Sequence, residues 1–474
     1  MLDDDVLLDV FDFYVDRSWG EDGKEMEAWQ SLVHVCRRWR SVVFGSPRRL
    51  NLRLACTANT LARDTDIWPA LPLSIRDDIR HTGNVDNFVA LLGRSELVCR
   101  ISQIKLWKVS SSQWEDIWGA MQVQFPELTY LLLYYDRQAV PLVTLSDSFL
   151  GGSAPRLRSL EFYCIPYPGL PKLLLSATHL THLRLTSIPD SGYIPPEVMA
   201  ACLSTLTGLE ILSLVFQLPR PLPDQEIHRQ PPSIRTSLPN LDDFWFRGSG
   251  EYLEVLVARI DAPQLRGLDI TFFNDIVFLT PQFTRFISHT PTFKAFEEAR
   301  VILKKWTATV GLSSPHANPK ARLNVSVSCK ELDWQLSFLE QVCTSLLPPL
   351  STLQGLYMLT EFPWPQDWKE NIDYSQWLEL LSSFSAVKNL YLSKGLAPCV
   401  VPALQDLAGG SLRTTDVFPN LQNIFLELKE SGPVRPVQEG IGKFIAARQR
   451  RQVNSHPITV SHWDRIRTRF QKVD

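Results

Sequence analysis

An internal repeat is the feature that most restricts how this 474-residue chain can fold. The repeated unit is L-x-x-L-x-L, with Ile, Val, Phe or Met replacing Leu at some positions. Its first residues are Ile101, Leu128, Leu157, Leu180, Leu209, Leu241, Leu265, Leu353, Val387 and Leu421. The fourth and sixth residues are apolar and two apart, which is the spacing of a β-strand with one buried face. The repeat therefore predicts a series of short strands.

Segments with helical spacing of apolar residues precede many of these strands. They are Val85–Leu92, Trp114–Met121, Glu197–Leu206, Tyr252–Ile260, Phe283–Ser288, Trp334–Leu346 and Trp377–Phe384. One strand and one helix cannot bury their own apolar faces, so neighbouring units have to stack. The pattern resembles the irregular leucine-rich repeats that are often joined to an F-box. That resemblance implies an α/β solenoid with one parallel concave sheet and helices on the convex side.

Three stretches depart from the repeat. Leu218–Pro239 contains six prolines and is interpreted as an exposed loop. Phe293–Ser328 is interpreted as one or two degenerate repeats, joined by a loop at GLSSPHANPK. The tail Ile441–Lys472 is basic, and Gly442–Arg451 predicts a solvated capping helix. A patch for an acidic or phosphorylated partner is the alternative for this tail, and nucleic acid fits less well because aromatic residues are few.

One residue lies between the two buried positions of each unit and is expected to face the concave side. This column reads Lys105, Leu132, Glu161, Arg184, Ser213, Trp245, Asp269, Tyr357, Tyr391 and Phe425. The residues proposed for contact with a target protein are Arg184, Trp245, Asp269, Tyr357, Tyr391 and Phe425, because Tyr, Trp and Arg dominate many interfaces. Strand propensity alone also favours aromatic residues, and a loop or the tail can cover them.

The N-terminal segment contains two apolar helical stripes. One is formed by Val6, Leu7, Val10, Phe11 and Tyr14, and the other predicts a single helix over Trp29–Phe44. A unit of this size is marginal on its own, and so much apolar helical surface needs a partner. The residues alone leave open whether that partner is another protein or the rest of this chain.

The sequence L-V-x-V-C-R-R-W-R, following L-x-x-x-V-L-L-x-V-F, resembles the F-box of expanded fungal F-box families over Leu2–Pro47. Asp3 stands where the family usually has Pro, and Arg17–Ala28 resembles an insertion. The resemblance implies docking on the Skp-family adaptor of a cullin ubiquitin ligase. The residues expected at that interface, some of them shared with the core of the unit, are Leu2, Val6, Leu7, Val10, Phe11, Trp29, Leu32, Val35 and Trp39.

The predicted organisation is an F-box-like domain at 1–47, a connecting segment at 48–80 and the repeats with their basic cap at 81–474. The net charge of −3 gives no general attraction to nucleic acid or acidic membranes. No apolar run reaches the roughly 18 residues of a membrane span. Eight scattered cysteines without C-x-x-C predict free thiols in a reducing compartment, which is the cytoplasm, the nucleus or both.

No motif for catalysis, phosphate binding or metal binding occurs in the chain, and His179 and His182 lack a third ligand nearby in sequence. We therefore expect no catalytic residue, no metal and no cofactor. The leading hypothesis is a substrate-recognition adaptor of a Skp–cullin–F-box ubiquitin ligase. The alternatives are a leucine-rich repeat scaffold or receptor that no longer recruits a ligase, and a hydrolase built on a repeat scaffold.

Overall fold

The computed structural model of the protein describes most of the chain and is mixed α/β with mostly parallel strands. The described residues are 3–17, 28–47, 49–57, 60, 68–78, 85–109, 111–135, 144–219, 235–273, 280–348, 350–360, 374–409, 418–427, 435–451 and 457–463. They fall into two compact units, Met1–Ile194 and Pro195–Asp474. The predicted fold class is confirmed at this level.

The helices and strands of these residues are as follows. The α-helices are α1 (Asp4–Arg17), α2 (Ala28–Val33), α3 (Arg37–Gly45), α4 (Val85–Leu92), α5 (Ser95–Val98), α6 (Ser111–Ala120), α7 (Leu170–Ser176), α8 (Pro196–Leu203), α9 (Gly250–Val257), α10 (Pro281–His289), α11 (Leu332–Gln341), α12 (Tyr374–Ser382), α13 (Ala397–Gly409) and α14 (Arg435–Arg451). The strands are β1 (Leu54–Cys56), β2 (Leu73–Asp78), β3 (Ile101–Val109), β4 (Tyr130–Tyr135), β5 (Ser159–Tyr163), β6 (His182–Ile188), β7 (Ile211–Phe216), β8 (Thr236–Ser237), β9 (Asp243–Gly248), β10 (Ile260–Asp261), β11 (Gly267–Phe273), β12 (Glu298–Leu303), β13 (Thr307–Ser314), β14 (Asn318–Ser328), β15 (Gly355–Thr360), β16 (Asn389–Leu392), β17 (Asn423–Glu427) and β18 (Thr459–Trp463).

In the first unit, strands β1 to β6 lie side by side in sequence order, and every neighbouring pair is parallel. Parallel neighbours in sequence order require a crossover between strands, and helices supply several of these crossovers. The helices α1, α2 and α3 precede this sheet in the chain.

In the second unit, the strand order is β7-β9-β11-β14-β13-β12-β15-β16-β17-β18. All pairs are parallel except those of β13, which is antiparallel to both β12 and β14. The short strands β8 and β10 form a separate parallel pair.

Each of the ten L-x-x-L-x-L motifs contains a strand, and every side chain at its fourth and sixth positions is at most 4% exposed. Helices cover this side of the sheet. Tyr252 of α9 stacks 5.8 Å from Phe246 of β9, and the rings of Phe283 in α10 and Phe272 in β11 are 6.2 Å apart. We call this the helix face. The opposite side, which carries the intervening residues, is the column face.

The stretch Phe293–Ser328 differs from the prediction. It forms the strands β12, β13 and β14 rather than repeats joined by a loop, and the expected loop 311–320 lies mostly inside β13 and β14. Buried residues alternate along both strands, and a hairpin turn needs only residues 315–317. The expectation of a wholly parallel sheet is therefore wrong at β13.

The predicted single helix over Trp29–Phe44 is broken between α2 and α3. The Sγ atom of Cys36 accepts a hydrogen bond from the Trp39 N–H at 3.5 Å and caps α3. The Nε atom of Arg40 donates to the Val33 carbonyl at 3.1 Å, at the end of α2. These two contacts satisfy backbone groups that the break leaves without helical partners.

The C-terminal region also differs from the prediction. Helix α14 begins seven residues before the predicted Gly442–Arg451, and a further strand, β18, follows it and pairs with β17. The helix is packed rather than fully solvated, because Val437, Ile441 and Phe444 are buried. Much of the proline-rich stretch and of the basic tail, residues 220–234, 452–456 and 464–474, lies outside the described residues.

Glu254 links two successive helices of the second unit. It lies on α9, and its two carboxylate oxygens accept the N–H groups of Gln282 and Phe283 at 2.9 and 2.7 Å, at the start of α10. Such acceptors stabilise a helix N-terminus, where the first N–H groups have no partner within the helix. Burial raises the pKa of Glu254, and the two backbone hydrogen bonds oppose this shift.

We predict that Glu254→Ala lowers the free energy of unfolding by about 2 kcal/mol and that Glu254→Gln costs less, because the amide keeps one acceptor. Because the pKa of Glu254 is higher in the folded than in the unfolded state, folding takes up a proton between the two pKa values. The stability that this proton uptake gives is complete below the unfolded-state pKa and is lost as pH rises through the folded-state pKa. The difference in the free energy of unfolding between wild type and Glu254→Gln is therefore larger at acidic than at neutral pH. Urea unfolding at several pH values measures this difference, and an advantage that grows with pH would contradict it.

Candidate interaction surfaces

Helix α1 leaves one side apolar and exposed. Val6, Val10, Phe13 and Tyr14 are 45%, 51%, 61% and 47% exposed and lie at steps of four, three and one, which is one helical stripe. Val35, in the turn before α3, is exposed as well. Large apolar side chains exposed together at this spacing form a candidate interaction surface. We call Val6, Val10, Phe13 and Tyr14 the α1 stripe.

The other side of α1 is held by its own unit. Leu7, Leu8 and Phe11 are buried, and the Phe11 ring lies 4.8 Å from that of Trp39 on α3. The Asp4 carboxylate and the Arg38 guanidinium form an ion pair at 2.7 Å. These contacts fix which side of α1 is turned outward.

Helix α2 anchors the helices to the sheet of the first unit. The Trp29 indole is buried, and its Nε1 donates to the Arg53 carbonyl at 3.0 Å, directly before β1. Its ring also packs on Trp68, 5.1 Å away, in the segment before β2. The connecting segment thus contacts the helices directly.

The predicted adaptor-binding residues therefore separate into three groups. Leu7, Phe11, Trp29 and Leu32 are buried in the unit, Val6, Val10 and Val35 are exposed, and Trp39 is half-buried. Leu2 lies outside the described residues. Phe13 was missed by the motif comparison, although its position seven residues after Val6 is a signal for the same stripe.

The predicted column lies in register across each sheet. In the first unit Arg76, Lys105, Leu132, Glu161 and Arg184 are direct neighbours on adjacent strands. In the second unit the order is Ser213, Trp245, Asp269, Asn324, Gly311, Arg300, Tyr357, Tyr391, Phe425 and Ser461. The repeat pattern did not identify Arg76, Asn324, Gly311, Arg300 and Ser461, because their strands lack the full motif.

Glu161 is the centre of a polar network on the column face of the first unit. It is largely buried and accepts hydrogen bonds from the hydroxyls of Tyr130 and Tyr163 at 3.0 and 3.4 Å. Arg184 lies 3.9 Å away as an ion partner. Burial and the negative charge of Glu161 raise the pKa values of both tyrosines, so both stay protonated donors at neutral pH.

The aromatic residues of the second unit form a continuous stack. The Tyr357 and Tyr391 rings lie 4.1 Å apart at 7°, and Tyr391 and Phe425 lie 4.5 Å apart at 10°. Trp463 of β18 stands edge-on to Tyr357 and Tyr391 at 6.1 and 5.5 Å. We call these four residues the aromatic stack. Trp463 was not predicted, although T-V-S-H-W alternates as a strand does.

Charged side chains lie on the β9 to β14 part of the same face. The Arg322 guanidinium pairs with the Asp243 carboxylate at 2.5 Å and lies 5.6 Å from the centre of the Trp245 ring. Arg322 and Asp243 flank Gly267 of β11 in register, so their ion pair passes over that residue. Burial raises the pKa of Asp269, opposed by a 3.1 Å hydrogen bond from Asn324.

The described residues include no group of three or more His, Cys, Asp or Glu side chains placed to hold a metal ion. No helix in the described part of the chain is both long and apolar enough to cross a bilayer. Comparison with protein-family models gives no match to the chain, and comparison with curated proteins gives none either.

We predict that Gly267→Ala breaks the Asp243–Arg322 pair, because a Cβ atom there would lie 1.7 Å from the Asp243 Oδ1 and 2.9 Å from the Arg322 Nη2. The free energy of unfolding should fall by about 1 kcal/mol, a small amount because the pair is partly exposed. Gly355→Ala is the control, because its nearest neighbour, the Glu298 Cγ, would lie 3.4 Å away.

A double-mutant cycle with Arg322→Ala, followed by urea unfolding, measures the coupling between the two positions. In the Gly267→Ala background the arginine substitution should cost less than in wild type. Equal costs in both backgrounds would show that the ion pair does not depend on Gly267.

Proposed function

We propose that this chain is a substrate-recognition adaptor of a Skp–cullin–F-box ubiquitin ligase. In this proposal α1, α2 and α3 form an F-box that docks a Skp-family adaptor, and the strands and helices that follow form a leucine-rich repeat array that binds a target protein. The observation that carries the proposal is the α1 stripe, an apolar surface exposed on helices that are otherwise packed on their own unit.

The docking surface is supported by the way the helices are held. Phe11 and Trp39 connect α1 with α3, and Trp29 connects α2 with Phe44 of α3 and with the segment before the sheet. The α1 stripe is therefore presented from a defined position rather than from a loosely attached helix. Rigid attachment matters in this proposal because it gives the docked ligase a defined position on the first unit.

The column face supports the target-binding role. It aligns Trp245, Tyr357, Tyr391, Phe425 and Arg300 across adjacent strands, and aromatic and arginine side chains contribute most to protein interfaces. In the proposal no residue of this chain reacts covalently. The chain raises the effective concentration of a target lysine near the charged conjugating enzyme.

The alternative is a repeat scaffold that no longer recruits a ligase. Asp3, in the position where the F-box family usually has Pro, favours this alternative. A pull-down of purified Skp-family adaptor by the intact chain distinguishes the two. No binding would favour the scaffold and would remove the ligase proposal.

We predict that Val10→Asp weakens adaptor binding about tenfold or more, because it places an unpaired charge in an apolar interface. Val10 is 51% exposed and contributes little to the core of the unit, so the melting temperature should hardly change. Val123→Asp is the matched control, since Val123 is 43% exposed in the same unit and outside the α1 stripe. Titration calorimetry with the purified adaptor measures the difference. Trp39→Ala is less informative, because its ring packs on Phe11.

We predict that Tyr391→Ala reduces target recruitment while adaptor binding stays at the wild-type level, because Tyr391 and the α1 stripe belong to different units. Proximity labelling with the intact chain and the variant compares the target sets, and a melting curve shows that the variant is folded. An unchanged target set from a folded Tyr391→Ala chain would exclude this part of the column face.

A further inference from the structure

Strand β18 ends the sheet of the second unit among the described strands. It has five residues, T-V-S-H-W, with no Lys, Glu, Asp or Pro and no bulge. Exposed edge strands usually carry one of these features, because an unprotected edge pairs readily with another chain. Strand β1, an edge of the sheet in the first unit, has only three residues and is protected by its shortness.

The backbone of β18 has donors turned away from its neighbour. The Thr459 N–H donates to the Gln422 carbonyl at 2.8 Å, and the pairing of β18 with β17 is parallel and regular. Hydrogen bonding alternates along a strand, so the N–H groups of Val460 and His462 point outward from the sheet. Both residues are exposed.

The side chains of β18 are also incompletely covered. Val460 lies in register with Ile424 on the helix face and is 46% exposed, whereas Ile424 is fully buried. On the column face Ser461 continues the column beyond Phe425 and is exposed. An added strand would thus find a place for apolar side chains on one face and small or polar side chains on the other.

The charge near this edge indicates what kind of strand fits. The Arg448 guanidinium donates to the Pro419 carbonyl, so the C-terminal end of α14 lies at the amino-terminal end of β17, beside which β18 also begins. Arg450, in the same last turn of the helix, is exposed, whereas Glu439, the acidic residue of the helix, lies near its beginning. A second copy of this chain would bring the same cations to the edge, whereas a partner segment with acidic residues would be attracted.

We propose that the β18 edge binds an extended segment of the target protein that adds to the sheet as a further strand and carries acidic residues beside its β-forming core. This inference rests on the proposed function, because it names the kind of target segment that the second unit recognises. Binding at the β18 edge differs from binding at the aromatic stack. At the edge, main-chain hydrogen bonds supply the affinity and the acidic flank supplies the selectivity.

The probe is a fluorescein-labelled peptide, EETVTVTEE, titrated into the intact chain and followed by fluorescence anisotropy. Two control peptides are EETVPVTEE, whose proline interrupts strand pairing, and KKTVTVTKK, whose flanks have the opposite charge. We expect saturable binding of the first peptide, weakened by salt, and binding about tenfold weaker or worse for each control.

Variants of the chain test the edge itself. Val460→Pro removes an outward N–H without removing a bond to β17, so it should weaken binding of EETVTVTEE about tenfold. Val460→Thr keeps the N–H, and its affinity for the peptide should stay within about twofold of wild type. Arg450→Glu changes an exposed position of α14, and a melting curve shows that the variant is folded. This variant should bind EETVTVTEE about threefold more weakly than wild type and should bind KKTVTVTKK more tightly.

Equal binding of the acidic and basic peptides, or wild-type binding by folded Val460→Pro, would overturn the inference. Self-association of the chain that Val460→Pro abolishes, without binding of EETVTVTEE, would show that a second copy occupies the edge and would overturn it as well. Adaptor binding by the same variants is the separate readout for the proposed function. If the adaptor binds and the peptide does not, only the inference about the edge fails.

Discussion

The burial of two apolar side chains per strand, two residues apart, is the constraint on which the rest of this structure depends. Leu131 and Leu133 of β4 illustrate it, since both are inaccessible to solvent and both lie on the helix face. Burial of one such side chain is worth roughly 1.5–3 kcal/mol, but only when a neighbouring strand and helix cover it. Each repeat therefore stabilises the next repeat. The residue between the two buried ones is left on the column face.

The same constraint explains how the second sheet accommodates an insertion. Strands β12, β13 and β14 keep the alternation of buried residues although β13 reverses direction. The register of the column is unbroken, because Asn324, Gly311 and Arg300 continue it from Asp269 to Tyr357. The insertion thus adds polar and charged residues to the column face without interrupting the packing on the helix face. At its last strand, β12, the insertion meets the aromatic stack directly, because the Arg300 guanidinium lies 5.5 Å from the centre of the Tyr357 ring.

Two surfaces that carry the proposals arise where apolar side chains remain outside the packing. The α1 stripe is exposed because Phe11 and Leu7 already fill the space between α1 and the other helices. The β18 edge is exposed because no described strand follows it in the sheet. In the proposed adaptor these surfaces belong to different units, so the ligase and the target would be held by separate parts of the chain.

The sequence by itself determined the strands, their buried faces and the column, because a period of two residues is a local property that each L-x-x-L-x-L motif contains. It also indicated most of the helices and the apolar surface of α1. The tertiary structure alone decided that Phe293–Ser328 forms antiparallel strands, that the helix after Trp29 breaks at Cys36, and that Thr459–Trp463 pairs with β17. Strand pairing and helix packing depend on contacts between residues far apart in sequence, such as Arg322 with Asp243 or Phe11 with Trp39. Which apolar residues of α1 face outward was likewise decided by packing, since Leu7 and Val10 are equally apolar and only their neighbours in space differ.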